Sequence, residues 1–152
     1  PMQSVPDGGH RYVIGIDWGR VDFSVAIVID ASSGRMVAMD RFNGIGWALQ
    51  RGRIAALAAT WQPSAIWAEE NSIGSPNIEA LRAEGLPVHG FNTTNASKDD
   101  LINTLSLAYT MERLPSGRYR YSAPPGGHDD TVIALALAFY ASQFSGASLR
   151  FA

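Results

Sequence analysis

The chain contains no cysteine, which excludes disulfide frameworks and thiolate metal sites. It has one lysine, Lys98, beside eleven arginines. No run of about 18 apolar residues occurs, so no segment reads as a membrane-spanning helix, and no signal-peptide pattern opens the chain. An excess of positive charge is also missing. The net charge is −2, and no global field advertises nucleic-acid binding. No G-x-x-x-x-G-K-[ST] phosphate loop is found, and there is no internal repeat or low-complexity tract. What is present is 152 residues that are 46% hydrophobic and 17% charged, the composition of one packed domain. Arginine suits planar contacts to phosphate, although a GC-rich genome gives the same bias.

Residues 1–10 read as a flexible lead-in or cloning remnant, and 11–152 as the folded domain. "RYVIGID" (11–17), "VDFSVAIVID" (21–30) and "MVAMDRF" (36–42) read as three strands of an antiparallel meander joined by turn residues. Helical spacing follows over 46–61, then a strand in "PSAIWAEE", a short helix over 77–84 and a strand in "LPVHGF". Ser97, with Asp100 as its capping-box partner, opens a helix to about Arg113. An apolar helix from Thr131 to about Gln143 closes the domain. This order predicts an α/β fold: a mixed five-stranded sheet, the meander plus two further strands, with helices on both faces.

Carboxylates recur at element ends. Asp17 ends the first strand, Glu69 and Glu70 end the fourth, and Asp129 and Asp130 precede the last helix. Sites in open α/β sheets form beyond the carboxyl ends of strands, and a helix starting there aims its amide groups into the same space. If the first and fourth strands are neighbours, three segments deliver acids to one place. Two carboxylates about 4 Å apart repel by roughly 4 kcal/mol at an effective dielectric near 20. With one lysine in the chain and no arginine adjacent in sequence to the Glu69 or Asp129 segments, bound cations are the expected relief. Hard oxygen ligands favour one or two Mg2+ or Mn2+ ions. The helix dipole would help to keep Asp129 and Asp130 ionised.

The motifs "GIDWGRVDFS", "IWAEENSIG", "TTNASKDDLINTL" and "HDDTVIALALA", in that order, resemble the ribonuclease H-like superfamily, and within it the nuclease domain of phage large terminases. The resemblance runs from Arg11 to Ser142. It implies a metal-dependent endonuclease that cuts double-stranded DNA with little sequence preference during genome packaging, in the cytoplasm of an infected bacterial host. Asp17 matches the first metal ligand, and Glu69 matches the second, because the family places it two positions before an asparagine, here Asn71. Strand alternation puts Glu70 on the other face. Asp130 is the favoured ligand of the last motif, with Asp129 a second ligand or the helix cap. Asp22 sits where some members carry an accessory acid. Lys98 falls at the family's basic position, and it joins Arg20, Arg41, Arg118 and Arg120 as a candidate for DNA-backbone contact.

His128 reads as a turn residue that could also ligate, His89 as structural, and Trp47, Trp61 and Trp67 as core. Partners implied by the resemblance are an ATPase domain in the same full-length chain, a portal and a small terminase subunit, and no membrane. Two rival readings remain. One is a Holliday-junction resolvase of the same superfamily, and the other is an actin- or sugar-kinase-like ATP-binding domain with Asp17 facing nucleotide phosphates.

Overall fold

The computed structural model describes residues 2–71, 73–113 and 130–143. Its strands are β1 (Tyr12–Asp17), β2 (Ser24–Asp30), β3 (Arg35–Phe42), β4 (Ala65–Glu69) and β5 (Val88–Phe91). Its helices are α1 (Trp47–Trp61), α2 (Gly74–Ala83), α3 (Asn95–Arg113) and α4 (Asp130–Gln143). They build one sheet in the order β3-β2-β1-β4-β5. β1 pairs antiparallel with β2, and β2 with β3, while β4 lies parallel to β1 and β5 parallel to β4. The expected mixed sheet is present, and β1 and β4 are neighbours. β1 and β2 are buried along their whole length, which is why they read as nearly continuous apolar runs. β3 lies at the edge and alternates, leaving Met36 and Met39 exposed.

The two sheet faces carry separate cores. Ile14, Ile16, Val28, Ile66 and Ala68 pack with Ile54, Ala58 and Trp61 of α1 and with Ile78 and Leu81 of α2. Val13, Val25, Ile27 and Ile29 meet Ala134, Ala138 and Ala141 of α4. The opposite side of α4, through Ile133, Ala136 and Leu137, packs on Leu101 and Leu105 of α3. Covered by sheet on one side and helix on the other, α4 needs no polar stripe.

Small residues set how closely α4 sits. A Cβ on Gly15 would lie 2.1 Å from the carbonyl oxygen of Ala134 and 2.3 Å from the amide nitrogen of Ala138. A glycine inside a buried strand marks such a close backbone approach. At the far end of α4, Arg11 Nη2 donates to the carbonyl oxygen of Ser142 at 2.8 Å. Because the end of α4 meets the start of β1, the helix runs antiparallel to the strand. One turn before Ala134, about 6 Å along the axis, its first residue Asp130 therefore lies toward the Asp17 end of β1.

Three boundaries differ from the sequence reading. β2 begins at Ser24, because residues 18–23 form a loop in which Val21 is 86% exposed. Asp22 is thus an exposed loop residue and not a strand-edge one. α2 begins at Gly74, three residues early, because the Asn71 side chain accepts from the N–H groups of Ile73 and Gly74. α3 begins at Asn95. The reciprocal cap there is Thr94 with Ser97: Ser97 Oγ accepts from Thr94 N at 2.8 Å, and Thr94 Oγ1 from Ser97 N at 3.2 Å. Ser97 therefore fills the third helical position, and Asp100 is not its capping partner. Among the described residues no helix is long and apolar enough to cross a membrane.

At the other end of the sheet, Asp30 closes the β2–β3 turn. Its buried carboxylate accepts from the N–H of Ser32 (2.9 Å), the hydroxyl of Ser33 (2.6 Å) and Nδ1 of His10 (2.7 Å). Burial pushes this carboxyl up, but the bonds from Ser33, His10 and the backbone amides outweigh it and hold it below the ordinary carboxylate range. A depressed folded pKa gives stability that is present above the unfolded value, about 3.9, and lost as pH falls through the folded value. Asp30→Asn is expected to lower stability at pH 7 by about 1–3 kcal/mol. In urea melts the gap from wild type should narrow at pH 3. A gap of equal size at both pH values would mean that the carboxylate charge is not what stabilises the turn.

Candidate active site

The alternation of two parallel strands brings the first two acids together. In β1, Val13 and Gly15 face α4, and so does Asp17. In β4, Ala65 and Trp67 face the same side, and so does Glu69. Asp17 and Glu69 follow the paired residues Ile16 and Ala68, so they end adjacent strands side by side. Both are buried, at 6% and 4% exposure, and their carboxyl groups are hydrogen-bonded to one another. Glu70 turns away: its carboxylate lies against Gly90, and its N–H donates to the Phe91 carbonyl at 2.7 Å.

Glu69 is held on both oxygens. Asn71 Nδ2 donates to Oε2 at 3.0 Å, and the Thr93 hydroxyl donates to Oε1. Lys98 Nζ stands 3.2 Å from the same Oε1. Burial raises the Glu69 carboxyl. The hydrogen bonds from Asp17 and Thr93, with the charge and hydrogen bond of Lys98, together overcome it, so Glu69 lies below the ordinary carboxylate range. The sequence offered Lys98 as a candidate DNA-backbone contact, and here it also pairs with Glu69. Lys98 comes from the first turn of α3, 29 positions after Glu69, and proximity in sequence could not reveal it.

Asn71 does two jobs at once. Its Oδ1 accepts from the N–H of Ile73 (3.0 Å) and of Gly74 (2.8 Å), tying the start of α2 to the end of β4, while its amide holds Glu69. A Cβ on Gly74 would lie 2.0 Å from the Glu69 carbonyl oxygen, so α2 begins hard against the site. The loop after Asp17 is fixed by buried polar contacts. Ser24 Oγ accepts from Gly19 N at 2.9 Å and donates to Gln50 Oε1 at 2.7 Å, and Gln50 Nε2 donates to the Ile45 carbonyl at 3.0 Å. Trp18 turns to the α1–α2 side and is core.

Other residues singled out in the sequence fall as follows. Asp130 is the first residue of α4. Asp129, His128, Arg118 and Arg120 lie outside the described residues. Arg20 and Asp22 are exposed on the loop beside Asp17. The Arg41 guanidinium lies 3.5 Å over the Phe23 ring, at the outer edge of that loop. His89 stacks on Trp67 with ring centroids 5.0 Å apart. Thr93 was not foreseen, although the polar run "NTTN" directly after a strand bordering β4 was the available signal.

The donor set suits a hard divalent cation. It consists of buried carboxylate oxygens with no sulfur, one of them oriented by an amide and a hydroxyl. Two carboxyl groups at hydrogen-bonding range tolerate each other by sharing a proton or by sharing a cation.

No protein-family model matches the chain. It is 31% identical to the terminase large subunit of Thermus virus P23-45 over 90% of its own length, and it spans 32% of that relative. The large terminase nuclease of the thermophilic phage G20c, crystallised with zinc, superposes with a TM-score of 0.74 at 29% identity, covering 94% of this chain and 86% of that one. The same nuclease has been crystallised with magnesium and with cobalt. The Thermus thermophilus Holliday-junction protein RuvC shares the fold, with a TM-score of 0.54 at 19% identity, covering 88% of this chain and 96% of that one.

The sheet order and these superpositions make this a ribonuclease H-like domain. Its sequence likeness goes further than fold, because it persists over 90% of the chain. The chain belongs to the nuclease domains of phage large terminases.

Proposed function

We propose that this domain is a divalent-metal-dependent endonuclease that cuts double-stranded DNA with little sequence preference, as the nuclease part of a phage large terminase. The observation that carries the proposal is the buried, mutually hydrogen-bonded pair Asp17 and Glu69 at the ends of neighbouring parallel strands. The G20c nuclease adds support, since it has been crystallised with bound zinc, magnesium and cobalt.

In this reading Asp17, Glu69 and Asp130 hold Mg2+ or Mn2+, with Asp129 as a further ligand or cap and Asp22 as an accessory acid. When bound, one or two such ions supply Lewis-acid activation of water and stabilisation of the leaving oxygen. The chain's own contribution is to present the carboxylates in a fixed arrangement. Asn71 and Thr93 orient Glu69, and the Ser24–Gln50 network holds the loop after Asp17. Arg20 and Arg41 flank this edge, and they contact the DNA backbone together with Lys98, Arg118 and Arg120. The net charge of −2 implies weak DNA affinity for the domain alone. Grip is supplied by an ATPase domain of the full-length chain and by assembly with portal and small terminase subunit, in the cytoplasm of an infected bacterial host.

Manganese provides the test. At about 100 times the dissociation constant, a bound ion stabilises by roughly 2.7 kcal/mol, and the melting temperature should rise by about 5–10 °C. Supercoiled plasmid should be nicked and then linearised in the same buffer. Absence of both effects would remove the metal site from the account. A strong preference for four-way junctions over linear duplex would instead favour the resolvase reading.

A further inference from the structure

Lys98 occupies a position that is unfavourable for a lysine unless something else compensates it. It lies in the first helical turn of α3, where the helix dipole presents positive partial charge and a cation is destabilised. Its ammonium nevertheless reaches Glu69 Oε1 at 3.2 Å, while the side chain stays 38% exposed. That oxygen also takes the Thr93 hydroxyl, and the other oxygen takes Asn71. Beside its contact with Asp17, Glu69 is thus oriented by two neutral donors, and Lys98 meets its charge.

We propose that Lys98 is a positioning residue that acts as a built-in counter-cation: it neutralises Glu69 until a divalent ion is bound and sets how tightly that ion is held. This rests on the metal-centre reading above. The ammonium carries the same sign of charge as the incoming ion and stands on the oxygen that the ion would share. Every ion bound must therefore displace that contact or be repelled by it. Thr93 and Asn71 contribute orientation without charge, as hydrogen-bonded supports of a ligand do. The two kinds of neighbour should therefore shift metal affinity in opposite directions.

The experiment is isothermal titration of Mn2+ into the wild-type domain and the variants Lys98→Met, Lys98→Arg and Thr93→Val, with melting temperatures in metal-free buffer. Lys98→Met should bind Mn2+ about tenfold more tightly, since a half-buried pair of this kind is worth somewhat more than an exposed one. It should also melt lower than wild type without metal, because Glu69 then loses its counter-charge. Lys98→Arg should restore both values toward wild type. Thr93→Val should weaken Mn2+ binding by about tenfold, the low end for loss of a ligand's support. Mn2+ affinity in Lys98→Met equal to or weaker than wild type overturns the counter-cation role while leaving the metal centre intact. Failure of wild type to bind Mn2+ at all would instead overturn the metal centre itself.

Discussion

Asp17→Asn should lower plasmid cleavage by about a thousandfold or more while leaving the domain folded. The asparagine keeps the shape of the side chain and can donate an amide hydrogen bond to Glu69, so the contact between β1 and β4 survives. What it removes, once a cation takes the place of the shared proton, is one negative charge and one hard anionic ligand of a buried pair. A loss of about 4 kcal/mol in transition-state stabilisation corresponds to roughly three powers of ten in rate. Single-turnover nicking of supercoiled plasmid in saturating Mn2+ measures the rate, and a thermal melt without metal checks the fold. Cutting at the wild-type rate would show that Asp17 holds no reacting group. Two carboxyl groups so close are also easier to accommodate when one is neutral, so the variant should melt no lower than wild type in metal-free buffer.

The largest structural effect should come from Gly15→Ala, a change of one methyl group. Both atoms that the new Cβ would strike, the Ala134 carbonyl oxygen and the Ala138 amide nitrogen, belong to the backbone of α4. No rotamer change can relieve such contacts, so the helix must lift from β1. Overpacking ordinarily costs about 1–3 kcal/mol when side chains can adjust, and here about 3 kcal/mol or more is expected. That corresponds to a fall of about 6–12 °C in melting temperature for a domain of this size. Displacement of α4 would also carry Asp130 away from the Asp17 end of the strand. Mn2+ affinity in Gly15→Ala should fall together with stability. A variant that melts within a degree or two of wild type would mean that α4 does not pack as described.

Much of this architecture could be read from residue pattern. The apolar runs of β1 and β2, the alternation of β3 and the helical spacing of α1 each reflect a period set by local geometry, and each element lies where the pattern puts it. The misplaced boundaries share one cause: side chains satisfied backbone groups across a turn. Asn71 pulled the start of α2 forward to Gly74, and Thr94 with Ser97 moved the start of α3 to Asn95. β2 lost its first three residues because the Ser24–Gly19 hydrogen bonds closed a loop where alternation alone suggested a strand.

The candidate site divides along the same line. That carboxylates end β1 and β4 and stand at the start of α4 is a matter of sequence, because acids at the ends of apolar segments need only a one-dimensional reading. That Glu69 and not Glu70 faces Asp17 follows from the two-residue period of a strand once α4 is known to cover one side. Three things belonged to tertiary structure alone: the parallel pairing of β1 with β4, the approach of α4 permitted by Gly15, and the convergence of Asn71, Thr93 and Lys98 on one carboxylate. The reason is physical. Periodicity reports which face a residue occupies, whereas partners separated by 24 or 29 positions meet only when sheet order and helix packing close the distance between them.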